Sequence, residues 1–151
     1  MKAIIACDPN GGIGYKNKLP WINIQGDLPR FKKLTNGQVI VMGRNTWDSL
    51  QKKPLTQRFN FIITTKKIVL PFGAIALPNL EHFIKYTNAW LIGGAQLINS
   101  NWHLITEVHL TRTFEQYTCD VHISLPYLEN YFKCNYIETN SDHTYEIWNK
   151  I

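Results

Sequence analysis

The sequence predicts an α/β fold with a single central, mostly parallel sheet, flanking helices and a C-terminal antiparallel hairpin. Three observations predict it. Short apolar runs rich in Ile and Val recur along the earlier part of the chain, segments with helical spacing separate them, and the final part alternates apolar and polar residues. A repeated strand–helix–strand pattern indicates parallel pairing through right-handed crossovers, whereas alternation indicates strands with one solvated face.

The apolar runs are the predicted strands of the parallel part. Their residues do not alternate, which is typical of strands covered on both faces. We expect these strands at 3–7, 39–43, 59–64 and 89–94, with a shorter candidate at 74–77.

The predicted helices lie between these runs. Residues 27–36 carry apolar side chains near helical spacing, Pro29 suits the first turn, and Gly37 can end the helix. Further helices are expected at 44–50, 79–86 and 95–102.

The C-terminal part of the chain predicts antiparallel strands. They are expected at 107–114, 131–139 and 143–151, the last two joined by a turn at 140–142. The chain has 151 residues without repeats, low-complexity tracts or a linker, so we expect one domain over 1–151.

Composition narrows the classes of function. Hydrophobic residues make up 44% and charged residues 18%, which is typical of a globular protein. The three cysteines lack CxxC or metal-ligand spacing, so we expect a reducing, cytoplasmic setting without disulfides. No apolar stretch is long enough for a signal peptide or a membrane span. The net charge of +5 favours anionic partners, either nucleic acid or a small anion.

Asp27 is the carboxylate of most interest. It begins a predicted amphipathic helix, after Trp21 and beside Leu28 and Phe31. A carboxylate among apolar side chains can take part in proton transfer near neutral pH, although a helix N-terminus favours its charged form. The alternative is an ordinary N-cap, which the local sequence favours because Asp is among the commonest caps.

Three segments that follow predicted strands indicate a ligand site at the carboxyl edge of the sheet. Residues 42–47 combine backbone N–H groups, a guanidinium and a hydroxyl at a helix start, a combination that can bind an anion. Residues 64–66 can add a second phosphate contact. The glycine pair 93–94 suggests close approach of a ligand or an unusual peptide conformation. Helix capping, surface charge and a tight turn are the alternatives.

The sequence lacks the motifs that mark several other kinds of functional site. Residues 11–14 are glycine-rich but do not form GxGxxG, so the dinucleotide fingerprint fails. The five histidines show no metal-ligand spacing, and we expect no metal. No GxSxG or nucleophile–base pattern is present, and Cys7 inside a strand indicates core packing rather than a nucleophile.

Taken together, these segments resemble dihydrofolate reductase along nearly the whole chain. The matching blocks are GIGYKNKLPW (12–21), DLPRFKKLT (27–35), VIVMGRNTWDSL (39–50), PLTQRFNFIITT (54–65), LIGGAQL (91–97), VHLTRTF (108–114), CDVHISLP (119–126) and HTYEIW (143–148). Their order and spacing make the resemblance specific. It implies that the fold is like that of dihydrofolate reductase and that NADPH gives hydride to C6 of dihydrofolate while N5 gains a proton. Such an enzyme supports one-carbon and thymidylate metabolism.

The resemblance also implies site residues on the substrate side. Asp27 matches the acid that holds the pteridine 2-amino group and N3, Trp21 the residue that orders a water, and Thr111 the threonine that shares this network. Arg58 matches the arginine that clamps the glutamate α-carboxylate. The implied substrate contacts are Ile5, Cys7, Leu28, Phe31, Leu50, Arg58 and Ile92.

On the cofactor side the resemblance implies an NADPH site. Residues 9–23 match a mobile loop that closes over the nicotinamide, and 93–94 match a cis Gly-Gly peptide. The implied cofactor contacts are Ile13, Gly14, Gly43, Arg44, Asn45, Thr46, Thr64, Thr65, Gly93, Gly94, Ala95 and Gln96.

Three alternatives stand beside this interpretation. A related reductase of riboflavin synthesis shares the fold, but such domains are usually fused to a deaminase and lack the Trp-to-Asp signature. A nucleic-acid-binding domain fits the charge, but the chain has no basic recognition helix or stacking motif. A catalytically silent homologue conflicts with the retained acid, arginine and glycine pair. We expect a monomer, because no large apolar surface stripe is visible.

Overall fold

The computed structural model describes residues 1–151 and confirms the predicted α/β class. The strands are β1 (Lys2–Cys7), β2 (Gly12–Gly14), β3 (Val39–Gly43), β4 (Phe59–Ile63), β5 (Ala74–Leu77), β6 (Ala89–Leu91), β7 (Glu107–Thr113), β8 (Val121–His122), β9 (Phe132–Thr139) and β10 (His143–Lys150). The α-helices are α1 (Asp27–Thr35), α2 (Arg44–Ser49), α3 (Ala95–Ser100) and α4 (Leu125–Tyr131). Single 3₁₀ turns cover Glu81–Phe83 and Trp102–Leu104.

Eight strands form the central sheet, in the order β5-β4-β3-β6-β1-β7-β10-β9. The pairs from β5 through β7 are parallel, and β10 pairs antiparallel with both β7 and β9. The predicted hairpin is therefore confirmed, with its turn at 140–142. Because the strands from β5 to β7 run in one direction, their carboxyl ends share one edge, where an open α/β sheet binds its ligands.

The two faces of the sheet are covered by different helices. Neighbouring residues of β3 point to opposite faces, so Val41 belongs to one core cluster while Ile40 and Met42 belong to the other. Residues of α3 and α4 pack in the first cluster, and Trp47 of α2 packs in the second. None of the helices has the length and apolarity that crossing a membrane would require.

The helix predicted over 79–86 is wrong, since only Glu81–Phe83 forms a 3₁₀ turn. Leu80 and Phe83, three residues apart, are buried, whereas Ile84 is 57% exposed. A spacing of three suits a single 3₁₀ turn. Without a wider apolar stripe to bury, a longer helix gains too little from packing.

The sequence interpretation missed α4 and the small sheet formed by β2 and β8. Ser124 caps α4 by accepting a hydrogen bond from the Tyr127 backbone N–H at 3.3 Å, and a proline lies in the first turn. That cap, with buried Leu125 and Leu128, was a readable signal. The β2–β8 pair was not readable, because strands of three and two residues carry no periodicity.

Candidate active site

Asp27 does not cap its own helix. The N-cap of α1 is Gly26, whose φ of 85° places it in the left-handed region, and no side chain caps this end. The Asp27 Oδ1 instead accepts a hydrogen bond from the Thr111 hydroxyl at 2.7 Å. Thr111 is buried near the carboxyl end of β7. The N-cap alternative is therefore wrong, and the carboxylate lies beside the carboxyl end of β7.

Arg30 also lies beside Asp27, and the sequence interpretation did not identify it. Its Nη1 is 3.9 Å from the Asp27 Oδ1 and 3.5 Å from the Thr111 hydroxyl oxygen. The only available signal was the i,i+3 spacing on α1, which places two side chains on one helix face. Exposed ion pairs share that spacing, so it did not single out Arg30.

Trp21 lies in the segment that leads into α1. It is buried, and its ring meets Tyr117 edge-on with centroids 5.7 Å apart. Ile24, between Trp21 and the helix in the chain, is also buried. This packing fixes the entry to α1 and hence the position of Asp27.

The loop that precedes Trp21 is tied to the segment around β8. The backbone N–H of Lys16 donates to the Asp120 carboxylate at 3.0 Å, and the Asp120 N–H donates to the Gly14 carbonyl at 2.9 Å. On the far side of the loop, Asn17 lines a cavity of about 180 Å³ with α2 residues Asn45 and Asp48. The loop therefore spans from β8 to the helix that follows β3.

A second carboxylate anchors the start of this loop. Asp8 is buried, and its side chain accepts hydrogen bonds from the backbone N–H groups of Asn10, Gly12 and Tyr117 at 2.8–3.1 Å. Sequence reasoning missed this role as well, because only the folded chain brings Tyr117 to Asp8.

The residues predicted to contact the substrate lie on α1 and β1 and directly beside α2, β4 and β6. Leu28 is exposed, and Phe31 is partly buried with the Arg58 guanidinium 5.8 Å from its ring centre. Arg58 also donates to the Thr35 hydroxyl at 3.3 Å, and partial burial lowers its pKa. The remaining predicted apolar contacts are all partly buried: Ile5, Leu50 and Ile92.

Cys7 is the exception among the predicted substrate contacts. Its side chain is fully buried in the core, so the structure gives the thiol no access to a substrate. Burial raises the pKa of this thiol to about 12. The interpretation of Cys7 as a core residue agrees with this burial.

We expect the Cys7 thiol to resist alkylation in the native protein. Iodoacetamide at mildly alkaline pH should label the more exposed Cys119 and Cys134, and Cys7 only after unfolding, because the thiolate is the nucleophile and must reach the reagent. Peptide mass spectrometry after timed labelling measures this order. Labelling of Cys7 at the same rate as the other two would contradict the buried position.

The cofactor-side glycines meet at the carboxyl ends of β3 and β6. The Gly43 N–H donates to the Gly93 carbonyl at 2.9 Å, and the Gly93–Gly94 peptide is cis, as the resemblance implied. A Cβ on Gly93, whose φ is 140°, would lie 3.1 Å from the Thr46 hydroxyl. A side chain would thus fill the space in front of Thr46, and the glycines keep this edge open.

The residues predicted to contact the cofactor phosphates come directly after neighbouring strands. Gly43 pairs with Ile63, so Arg44 and Thr64 come directly after adjacent strand ends. Arg44 and Thr65 are exposed, and the Arg44 Nε lies 3.5 Å from the Asp48 carboxylate. Other predicted cofactor contacts are Asn45 and Gln96, which are exposed, Ile13 and Gly14, which are partly buried in β2, and Ala95, which is buried at the start of α3.

The predicted site residues therefore offer one acid with a hydroxyl partner, the guanidinium of Arg58 and a glycine-lined edge with hydroxyl and cationic groups. No three His, Cys, Asp or Glu side chains are grouped so that they could hold a metal ion. Such an arrangement can bind and orient a ligand.

Comparisons with known proteins give a consistent result. The family model described as dihydrofolate reductase matches residues 1–149. The chain is 35% identical to dihydrofolate reductase type 8 of Escherichia coli, over 99% of this chain and 95% of that protein. It is 36% identical to the dihydrofolate reductase of Buchnera aphidicola, over 74% of this chain and 70% of that protein.

A solved structure is also similar. Dihydrofolate reductase from Enterococcus faecalis, in complex with NADP(H), superimposes with a TM-score of 0.84 at 22% sequence identity. The match covers 99% of this chain and 95% of that one. This likeness shows that the two chains share a fold.

Proposed function

Because this chain belongs to the dihydrofolate reductase family, we propose that it reduces dihydrofolate to tetrahydrofolate with NADPH, as one domain over 1–151. The observation that carries the proposal is the Asp27 carboxylate, which Thr111 holds at the carboxyl edge of the sheet. A single carboxylate suits this reaction, because the cofactor brings the hydride chemistry and the protein supplies orientation and electrostatics.

In this proposal Asp27 binds and orients the pteridine. Its two oxygens accept hydrogen bonds from the 2-amino group and N3, a planar pair of donors that a carboxylate matches. The Thr111 hydroxyl keeps the carboxylate turned toward the ring. Trp21 would hold a water through which N5 gains its proton, and NADPH, when bound, would supply the hydride for C6.

The residues at the glycine-lined edge fit a dinucleotide. Gly93 and Gly94 leave room beside the Thr46 hydroxyl that a Cβ would fill. Arg44, with the threonines that follow β4, offers a cation and hydroxyls to the phosphates. The loop over 9–23, anchored through Asp120, then covers the nicotinamide and excludes water from the reacting atoms.

The direct test is NADPH oxidation by the purified protein with dihydrofolate as acceptor. The loss of reduced-nicotinamide absorbance measures it. Dihydrofolate-dependent oxidation supports the proposal. If the well-folded protein instead reduces the pyrimidine intermediate of riboflavin synthesis and ignores dihydrofolate, the related reductase is the correct assignment. If it oxidises NADPH with neither acceptor, and NADH is also inactive, the enzyme proposal fails.

Replacing Arg58 with Leu is expected to raise KM for dihydrofolate by about 10- to 100-fold with little change in kcat, because a charge-assisted contact to the glutamate carboxylate is lost. Steady-state kinetics measure the split. Arg58→Lys should recover only part of the affinity, since lysine lacks the planar fork.

The matched control for Arg58 is a dihydropterin substrate without the glutamate. Arg58→Leu should change KM for that compound by less than about twofold, since the contact it removes is absent there. An equal increase for both substrates would show that Arg58 acts through Phe31 and Thr35 packing instead.

A further inference from the structure

The Arg30 guanidinium is held in a fixed place by side chains of two strands, β9 and β10. It stacks on the Tyr145 ring of β10, with its carbon 4.2 Å from the ring centre, and lies 3.6 Å from the Glu138 carboxylate of β9. The His143 Nε2 is 3.3–3.4 Å from both terminal nitrogens. The Arg30 side chain is only 18% exposed.

His143 must be an acceptor in this arrangement. Arginine has no acceptor, so the His143 Nε2 accepts from Arg30, and the Asn140 amide at 3.3 Å approaches the same nitrogen. The His143 Nδ1 therefore carries the proton and donates to the Asp142 carboxylate at 2.6 Å. The buried imidazole thus holds both terminal nitrogens of the guanidinium in place.

One terminal nitrogen of the guanidinium, Nη1, also approaches the acid of the site. Arg30 donates to the Thr111 oxygen, and a hydroxyl that accepts on its oxygen has its own proton free to donate elsewhere. That proton is directed to Asp27 at 2.7 Å. The chain Arg30–Thr111–Asp27 therefore has one direction, and each donor polarises the next.

We propose that Arg30 is a positioning residue for the Asp27 carboxylate, acting through the Thr111 hydroxyl and its own charge 3.9 Å away. This inference rests on the proposed function. Two anionic groups lie beside Arg30, Asp27 near its Nη1 and Glu138 near its Nη2, and Tyr136 and Tyr145 complete its surroundings. Arg30 thereby holds the carboxylate in the orientation that binds the pteridine, without itself touching the substrate.

A double-mutant cycle on kcat/KM for dihydrofolate tests the coupling. Arg30→Met is expected to lower kcat/KM about tenfold in the wild-type background and less than about twofold in the Asp27→Asn background. If Arg30→Met folds poorly, Arg30→Gln replaces it and should show the same losses of kcat/KM. Arg30→Lys, which keeps the charge, should recover most of the loss, because the contact to Asp27 is single rather than bidentate.

The matched control is Lys33→Met, which removes an exposed cation from the same helix and should leave kcat/KM unchanged. Equal losses for Arg30→Met in both Asp27 backgrounds would overturn the proposal and assign Arg30 a purely structural role, as would failure of Arg30→Lys to recover activity in a stably folded protein.

A readout independent of turnover separates this inference from the proposed function. The ¹³C carboxyl resonance of Asp27, assigned by its loss in Asp27→Asn, should move in Arg30→Met or Arg30→Gln and stay in Lys33→Met. An unmoved resonance in the Arg30 variants would overturn the positioning role. If the wild-type protein is inactive but the Asp27 resonance still moves in the Arg30 variants, only the proposed function is refuted.

Discussion

Replacing Asp27 with Asn is expected to lower kcat/KM for dihydrofolate by about 10²- to 10⁴-fold at neutral pH. The amide keeps the size of the side chain and can still accept from Thr111, so packing is preserved. It loses the second acceptor oxygen that the pteridine N3 or 2-amino group requires, and the negative charge that favours proton uptake at N5. Steady-state NADPH oxidation measures the loss.

The control for this substitution is Glu81→Gln, the same carboxylate-to-amide change at an exposed residue of the 3₁₀ turn. It should retain full activity. If the Asp27→Asn protein keeps more than about a tenth of wild-type kcat/KM, at equal thermal stability, the essential acid must lie elsewhere.

Replacing Glu146 with Met is expected to destabilise the fold by about 1–3 kcal/mol, because it leaves the partly buried Arg112 guanidinium and two further donors without their acceptor. Glu146 is 5% exposed and accepts from Arg112 at 3.1 and 3.2 Å, a two-pronged ion pair. Thr144 and Trp148 donate to the same carboxylate at 2.7 and 2.9 Å. Chemical denaturation measures the free energy of unfolding.

The double variant Glu146→Met/Arg112→Met separates pairing from packing. It should be more stable than Glu146→Met alone, since no charge is then left without a partner. Glu129→Gln, at an exposed position of α4, should change the free energy of unfolding by less than about 0.5 kcal/mol. A Glu146→Met protein as stable as that control would show that the ion pair contributes nothing to folding.

The sheet was predictable because its signal is local. The Ile- and Val-rich run at 39–43 became a strand with those bounds, since a buried parallel strand must be apolar throughout. The short run at 74–77 also became a strand with its predicted bounds, although it lies at the edge of the sheet and Ile75 is 55% exposed. The run at 89–94 became a strand only over 89–91, because the glycine pair that follows turns toward the ligand edge. Helix α1 was predictable from its spacing, whereas the turn at 81–83 was not, since its length depends on what the core can accept.

The site was predictable in residue type but not in its contacts. Local sequence favoured Asp27 as an N-cap, and only Thr111, 84 residues away, decides otherwise. Arg30 and Asp8 stayed hidden for the same reason, because their partners lie on distant elements. Roles for Arg58, Trp21 and the glycine-lined edge stay predictions that the experiments above test.

The central position of β1 has a consequence for how the chain folds. β1, the first strand along the chain, lies between β6 and β7, and β10 must insert between β7 and β9. Pairings so distant in sequence close large loops and slow folding. The Asp27–Thr111 contact can form only once β7, which carries Thr111, has joined the sheet. The binding site therefore forms late, with completion of the sheet, and a nascent chain that ends before β7 leaves β1 with an exposed edge open to association with other chains.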